Sequence, residues 1–418
     1  MIKVLAAIVA PPHLTVSGGA KAGEMLSAAL ASSCDMTVAS MMGAPGELEG
    51  VNGAGEPTRV SVQSHLPRIF RAAPMLSRYR ALFYRSSIPQ IIQRGGYDLV
   101  HLHNPMPALE MAHIADVCVD AGIPYVVSTH GFNEVANGGA IYGFDPLRRA
   151  MWKRLVENPV SRVARHAAAV FALSPADFDI VRKMGFRGPI QLVPNGVATP
   201  PASDPKTDEA ALARLGVPAA GIAGQKTFMF LANHTPNKGL PILFAAFAAM
   251  KQPYLLIVGG EKRDGVDYDG AMRACGAQQS IIVTGRLQNS DVAALFRRSD
   301  LFVFPTLADT FPLVVLEAMS HGLPVVASNV GGIPYQLSEE CGVLTPPGDA
   351  GALATALEGL ARNPDAMAAI GRNARVRVAR EFTWESAAAQ ALAGYERVLS
   401  PRRARISPTA AIGPRLAQ

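Results

Sequence analysis

The sequence predicts an α/β protein built from two parallel-sheet domains that face each other across a cleft. Three observations carry that expectation. Short apolar runs rich in Val, Ile, Leu and Phe recur along the whole chain without polar alternation, as strands buried on both faces of a parallel sheet do. Helical spacing fills the gaps between them, as in residues 210–215, 291–298 and 351–361, so the chain reads as repeated βα units. A Pro-, Ala- and Gly-rich stretch, residues 196–224, then breaks this rhythm behind the turn signal Pro194-Asn195-Gly196. At 418 residues the chain also exceeds what one hydrophobic core usually organises.

In the first half the strand-like runs are residues 4–9, 36–40, 99–102, 125–128, 170–173 and 190–193. In the second they are residues 228–231, 255–258, 281–283, 301–304, 325–327 and 343–344. The expected organisation is therefore a Rossmann-like domain over 1–195, a junction over 196–224 containing one helix, and a second Rossmann-like domain over 225–380. A ligand belongs in the cleft between them, near the carboxyl ends of both sets of strands. The last residues, 401–418, lack apolar periodicity and are expected to be disordered. The opening MIKVLAAIVAPPHL reads as a buried strand and not a signal peptide, because it has one Lys, a Pro pair and no small-residue cleavage site.

Composition narrows the function classes. With 49% hydrophobic and 17% charged residues the chain is not a disordered one. The net charge of +6 suits an anionic small molecule or acidic membrane surface better than nucleic acid, whose binders cluster their basic residues along a stripe. No apolar run reaches the length of a membrane span. The scattered Cys34, Cys118, Cys275 and Cys341 form no CxxC pair, so a reduced, cytoplasmic protein is expected.

Several strand-end loops carry residues suited to chemistry. Gly18-Gly19 leads into the helical segment 22–31, where a Gly pair admits a ligand to the backbone and to the helix amides, or simply forms a flexible turn. His130-Gly131 follows an apolar strand and places an imidazole at the cleft, or caps the strand. His101 and His103 alternate on another strand end, where local hydrogen bonds are the plainer role, and no Asp, Glu or Cys joins them at metal-ligand spacing. Lys238, in the run Asn237-Lys238-Gly239, stands before the helical run 240–250. There its charge adds to the partial positive end of the helix, which suits a diphosphate; a surface lysine is the alternative. Asp309 sits in the loop after the 301–304 strand, Pro312 is expected in the first turn of the next helix, and Glu317 lies on that helix among apolar residues. A carboxylate there needs a partner, and two acids at one pocket suit the paired hydroxyls of a sugar or ribose. A helix cap and a structural Glu are the alternatives. The loop Val330-Gly331-Gly332-Ile333-Pro334 offers a further close approach of backbone to ligand.

Taken together, Gly18-Gly19, His130-Gly131, Pro194-Asn195-Gly196, Asn237-Lys238-Gly239, LEAMSHGLPVVAS, Val330–Pro334 and the run from Gly342 to Asp349 resemble the GT4-type retaining glycosyltransferases of group 1, over nearly the full length. That resemblance implies a GT-B fold. It implies that Lys238, with the Gly18-Gly19 backbone, binds the diphosphate of a nucleotide-sugar donor, that Glu317 holds the ribose, and that Asp309 and His130 meet the transferred sugar. It also implies donor contacts from Asn233, Thr310, Phe311 and Leu313, and nucleobase contacts from the loop Thr284 to Leu287. The run Phe382-Thr-Trp384, with its following helix over 381–400, looks like the segment that crosses back to the first domain. The implied reaction moves a sugar to a hydroxyl acceptor with retention and without bound metal or other cofactor. A saccharide or lipid-linked acceptor, and polysaccharide or lipopolysaccharide assembly, are expectations of the same kind.

Two departures from the family pattern stand out. Asn233 occupies a position usually taken by Arg, which exchanges a charge-assisted hydrogen bond of about 1.5–3 kcal/mol for a neutral one near about 1 kcal/mol. Arg286 is the candidate to restore part of that charge. Asp309 replaces the usual Glu, one methylene shorter. Separately, the stretch Leu66 to Arg94 holds six arginines and no acids among Phe, Tyr, Leu and Ile, a basic amphipathic pattern that suits the anionic inner face of a plasma membrane or a solvated helix face. The competing readings are a hydrolysing sugar-nucleotide 2-epimerase on the same fold, a non-catalytic sugar-nucleotide-binding subunit, and an NAD-dependent dehydrogenase. The last is disfavoured because neither half has GxGxxG after its first strand.

Overall fold

A computed structural model describes residues 1–11, 18–42, 55–64, 82–219, 224–338 and 340–406, with side chains to residue 400. The front lobe contains β1 (Lys3–Ile8), β2 (Asp35–Ser40), β3 (Pro57–Arg59), β4 (Val62–Ser64), β5 (Tyr84–Ser86), β6 (Leu99–His103), β7 (Tyr125–Ser128), β8 (Ala169–Ala172) and β9 (Ile190–Leu192). Seven of these form a parallel sheet in the order β3-β2-β1-β6-β7-β8-β9, and β4 and β5 pair antiparallel with each other. The rear lobe contains β10 (Lys226–Leu231), β11 (Tyr254–Gly259), β12 (Gln279–Gly285), β13 (Leu301–Phe304), β14 (Val325–Ser328) and β15 (Gly342–Thr345). They form a parallel sheet in the order β12-β11-β10-β13-β14-β15.

Both sheets bury both faces. In β1, Leu5 and Ala7 enter one core of the front lobe while Val4, Ala6 and Ile8 enter the other. This two-residue period explains why the strand shows no polar alternation. The strand order reverses between β1 and β6 in front and between β10 and β13 behind. At such a switch point neighbouring loops leave in opposite directions and open a crevice at the carboxyl ends.

The chain crosses between the lobes twice, and the crossings lie against each other. Val197 N–H donates to the Phe382 carbonyl at 2.9 Å, and Val197 bridges Thr383. A Cβ on Gly196 would stand 2.3 Å from the Trp384 nitrogen, so only glycine allows this approach. The last helix, Trp384–Ile406, returns to the front lobe, where Ala391, Tyr395 and Leu399 pack with Val4, Ala6, Leu26 and Leu30. Its Tyr395 hydroxyl meets His101 Nδ1 at 2.7 Å.

The structure corrects some expectations. The Trp384–Ile406 helix runs past residue 400, where the sequence pattern places its end; residues 407–418 lie outside the described residues. Gly18 and Gly19 begin the Gly18–Leu30 helix itself and do not precede it. Pro312 is the N-cap of the Leu313–Ser320 helix and is not inside its first turn. Strands β3, β4 and β5 carry no apolar run in the sequence; they are three-residue edge elements of mostly half-buried residues. Within the basic stretch, Arg85 donates to the Leu109 carbonyl at 2.6 Å and to buried Glu110 at 3.1 Å. That guanidinium is thus committed to the protein, and residues 66–81 lie outside the described residues. Among the described residues no helix is long and apolar enough to cross a membrane.

Candidate active site

The loops behind the two switch points converge on a cavity of about 210 Å³. Gly18 and Gly19, after β1, Asn104, after β6, and Gly131, after β7, form its front wall. Lys238, after β10, and Asp309, Thr310, Phe311 and Leu313, after β13, form the rear wall. Strand ends and sheet order therefore place these side chains.

The rear wall is tied together loop to loop. Asn237 accepts from Leu307 N–H at 2.7 Å through its carbonyl and donates to the Ala308 carbonyl at 3.2 Å through its amide. Its neighbour Lys238 ends a single 3₁₀ turn, Pro236–Lys238, and directs its ammonium to Asp309 Oδ2 at 2.5 Å. The loop Gly331-Gly332 supports this region from behind and does not itself line the cavity. Gly331 has a φ of +54°, and a Cβ there would stand 1.9 Å from the Asp309 carbonyl oxygen. Gly332 N–H donates to the Thr310 carbonyl at 2.7 Å. The sequence suggests that this Gly pair admits a ligand; the structure shows it admitting the Asp309 loop.

A second cavity, of about 460 Å³, adjoins the first at Leu313, which lines both. Glu317 opens here, with Lys21, Leu231 and the junction residues Gly196 to Pro201. The first cavity falls below the ~300–1,000 Å³ usual for ligand sites and the second lies within that range, so a nucleotide-sugar has room where the two adjoin. Glu317 is partly exposed and not entombed among its apolar neighbours, and the Lys21 ammonium from the front lobe lies 3.7 Å from it. Asn133 donates to the Asp309 carbonyl and Asn195 to the Phe311 carbonyl, each at 3.3 Å, so further bonds join the lobes at the site.

His130 is buried directly behind the front wall. A methyl group at Gly19 would sit 3.1 Å from its Cβ and 3.2 Å from Asn104 Oδ1. Burial lowers its pKa from 6.5 to about 4, which keeps the ring neutral near pH 7. It forms a column with His103, whose ring centroid is 5.8 Å away, and His103 lies against His101 at 3.8 Å with the rings tilted by 35°. His101 is bonded to Tyr395 and to Ser128 Oγ, whereas His103 is buried without a partner for either ring nitrogen among the described residues.

Asn233 and Arg286 are both exposed and line neither cavity, and none of Thr284 to Leu287 does. The sequence reading missed Lys21, Asn104, Asn133 and Asn195. Asn104 adopts a left-handed φ of 67°, a region Asn tolerates, and its sequence signal is the Asn104-Pro105 turn pair. Lys21, Asn133 and Asn195 reach across the cleft, and nothing local in sequence marks such contacts. Among the described residues no group of three or more His, Cys, Asp or Glu converges at metal-ligand spacing.

Two parallel-sheet lobes with a polar site between facing switch points define the GT-B architecture. The model for glycosyl transferases group 1 matches residues 225–363, and that for glycosyltransferase family 4 matches residues 16–199. An MMP α-(1→4)-mannosyltransferase of Mycolicibacterium hassiacum is 28% identical over 74% of this chain and 72% of its own length. A D-inositol 3-phosphate glycosyltransferase of Streptomyces coelicolor is 27% identical over 75% of this chain and 71% of its own. The structure of the Anabaena protein HepE in complex with UDP and glucose superposes with a TM-score of 0.69 at 18% identity, covering 95% of this chain and all of that one (100%). The chain belongs to the GT4-type, group 1 glycosyltransferases.

Proposed function

We propose that this glycosyltransferase moves a sugar from a nucleotide-sugar to a hydroxyl acceptor with retention at the anomeric carbon, and that its own cations and amides receive the diphosphate without a metal ion. The observation that carries this reading is the meeting of Lys238 and Asp309 from the rear lobe with Gly18, Gly19 and Gly131 from the front lobe around one cavity. The UDP and glucose held by the similar HepE structure and the transferase activities named for the relatives support the substrate class. In this reading the bond from the anomeric carbon to the diphosphate oxygen breaks, and the acceptor oxygen bonds the same face of that carbon. The acceptor proton passes to the departing phosphate. Negative charge grows on the diphosphate as it leaves, and the Lys238 ammonium, shared with Asp309, and the amides at the start of the Gly18–Leu30 helix stabilise it. Asp309 and Thr310 hold sugar hydroxyls, Glu317 holds the ribose, and neutral His130 fixes the front wall beside the reacting carbon. The acceptor approaches from the front lobe and is a saccharide or a lipid-linked one, as in surface polysaccharide assembly.

Thermal stabilisation by UDP-, GDP- and ADP-sugars, followed by transfer to candidate acceptors and NMR of the product anomer, tests this directly. Lys238→Ala is expected to lower kcat about 10²- to 10³-fold, as loss of a charge-stabilising donor does. Glu317→Ala is expected to raise the donor KM about 10- to 100-fold, as loss of charge-assisted bonds does. Transfer unchanged by both substitutions, or a product of inverted configuration, overturns the reading.

A further inference from the structure

We infer that Lys21 is a second diphosphate-binding cation, delivered by the front lobe. The inference rests on the donor reading above and assigns it a residue that neither the motifs nor the resemblance identify. Asn233, two residues after the β10 strand, is uncharged, exposed and lines neither cavity. Arg286 lines neither cavity as well. The cations on the walls of the joined cavities, among the described residues, are Lys238 and Lys21, against the carboxylates of Glu134, Asp309 and Glu317. Each phosphate of a nucleotide-sugar carries a negative charge. Lys238, already 2.5 Å from Asp309, cannot by itself offset both the wall and the ligand.

Lys21 lines the second cavity, which adjoins at Leu313 the first, where Lys238 and Gly18-Gly19 lie. It lies in the first turn of the Gly18–Leu30 helix, just behind the Gly18-Gly19 amides, and its side chain keeps 45% of its exposure. Its ammonium has three donors, and a carboxylate has about four acceptor positions. Lys21 can therefore stay with Glu317, at 3.7 Å, while also donating to a phosphate oxygen, and Glu317 can still accept from ribose hydroxyls. Because the lysine and the glutamate belong to different lobes, a donor bound to both is held from both sides of the cleft.

Calorimetric titration of the full chain with UDP, GDP and ADP, each beside its uncharged nucleoside, tests this. With the tightest diphosphate, Lys21→Met is expected to lose about 10- to 100-fold in affinity and to show a weaker salt dependence. Lys21→Arg is expected to retain most of the affinity, and the nucleoside is expected to bind Lys21→Met and the parent chain equally. Diphosphate binding unchanged or tightened in Lys21→Met overturns the inference and leaves Lys21 as a latch on Glu317. A parallel loss of nucleoside affinity also overturns it, because Lys21 would then act only by orienting Glu317. If the parent chain binds none of the diphosphates, the donor reading itself falls and this inference falls with it.

Discussion

At the residue scale, the contact between Lys238 and Asp309 sets two demands against each other. The ammonium that would receive the diphosphate pairs with the carboxylate that would hold the sugar, at 2.5 Å with both groups largely shielded. An ion pair so screened from water is worth more than a surface pair, and a ligand phosphate has to compete with it or share it. Asp309→Asn removes the competitor while nearly preserving shape. We expect this variant to bind free UDP or GDP several-fold more tightly in calorimetry, while its turnover of the intact donor falls at least about tenfold as the sugar loses an acceptor. Tightened diphosphate binding together with undiminished turnover would show that the carboxylate does not touch the sugar. Both residues were legible in the sequence, since each follows an apolar strand in a polar loop and the fold sends such loops to the cleft. Asn195 was legible only as part of a turn, because its role depends on the Phe311 carbonyl of the opposite lobe.

At the element scale, the rear wall shows how a loop is held by the loop behind it. Asp309 keeps its place because Gly331 lets another backbone come within contact of its carbonyl. Gly331→Ala would force a left-handed φ of +54° on a residue with a Cβ and drive that Cβ into the Asp309 oxygen. We expect a loss of about 2–4 kcal/mol in urea unfolding and a collapse of donor binding, since the displaced loop also carries Thr310 and Phe311. Stability within about 0.5 kcal/mol of the parent would mean that the loop has room to relax. The apolar strands that build this frame stood out in the sequence because burial on both faces makes them continuous hydrophobic runs. The edge strands β3 to β5 did not, since half-buried three-residue pairings leave no pattern. The Gly331-Gly332 pair was visible, yet its purpose was misread: a glycine marks a close approach without saying what approaches.

At the scale of the whole molecule, the front lobe holds a column of buried histidines between the returning C-terminal helix and the site, and this makes stability depend on acid. Burial lowers His101 to about 3 and His130 to about 4, and it holds His103 well below the ordinary 6.5. In the unfolded chain these rings take up protons near about pH 6.5. Between that pH and about 4 the unfolded state therefore binds more protons, and folding stability falls as pH falls. Asp177 works in the opposite sense. Burial raises it from 3.8 to about 6, so the folded state keeps its proton longer and gains from acidification. Asp177 is one group with a smaller displacement, so the histidines decide the direction. His103 offers the cleanest test, because it makes no hydrogen bond among the described residues and sits against Ile8 and Gly23. In calorimetric scans from pH 7.5 to 4.5 the melting temperature of the parent chain should drop steadily below pH 6.5. His103→Leu, close in volume and unable to titrate, should match or exceed the parent at pH 7.5 and lose less on acidification. The same acid slope in both proteins would place the responsible protons outside the column.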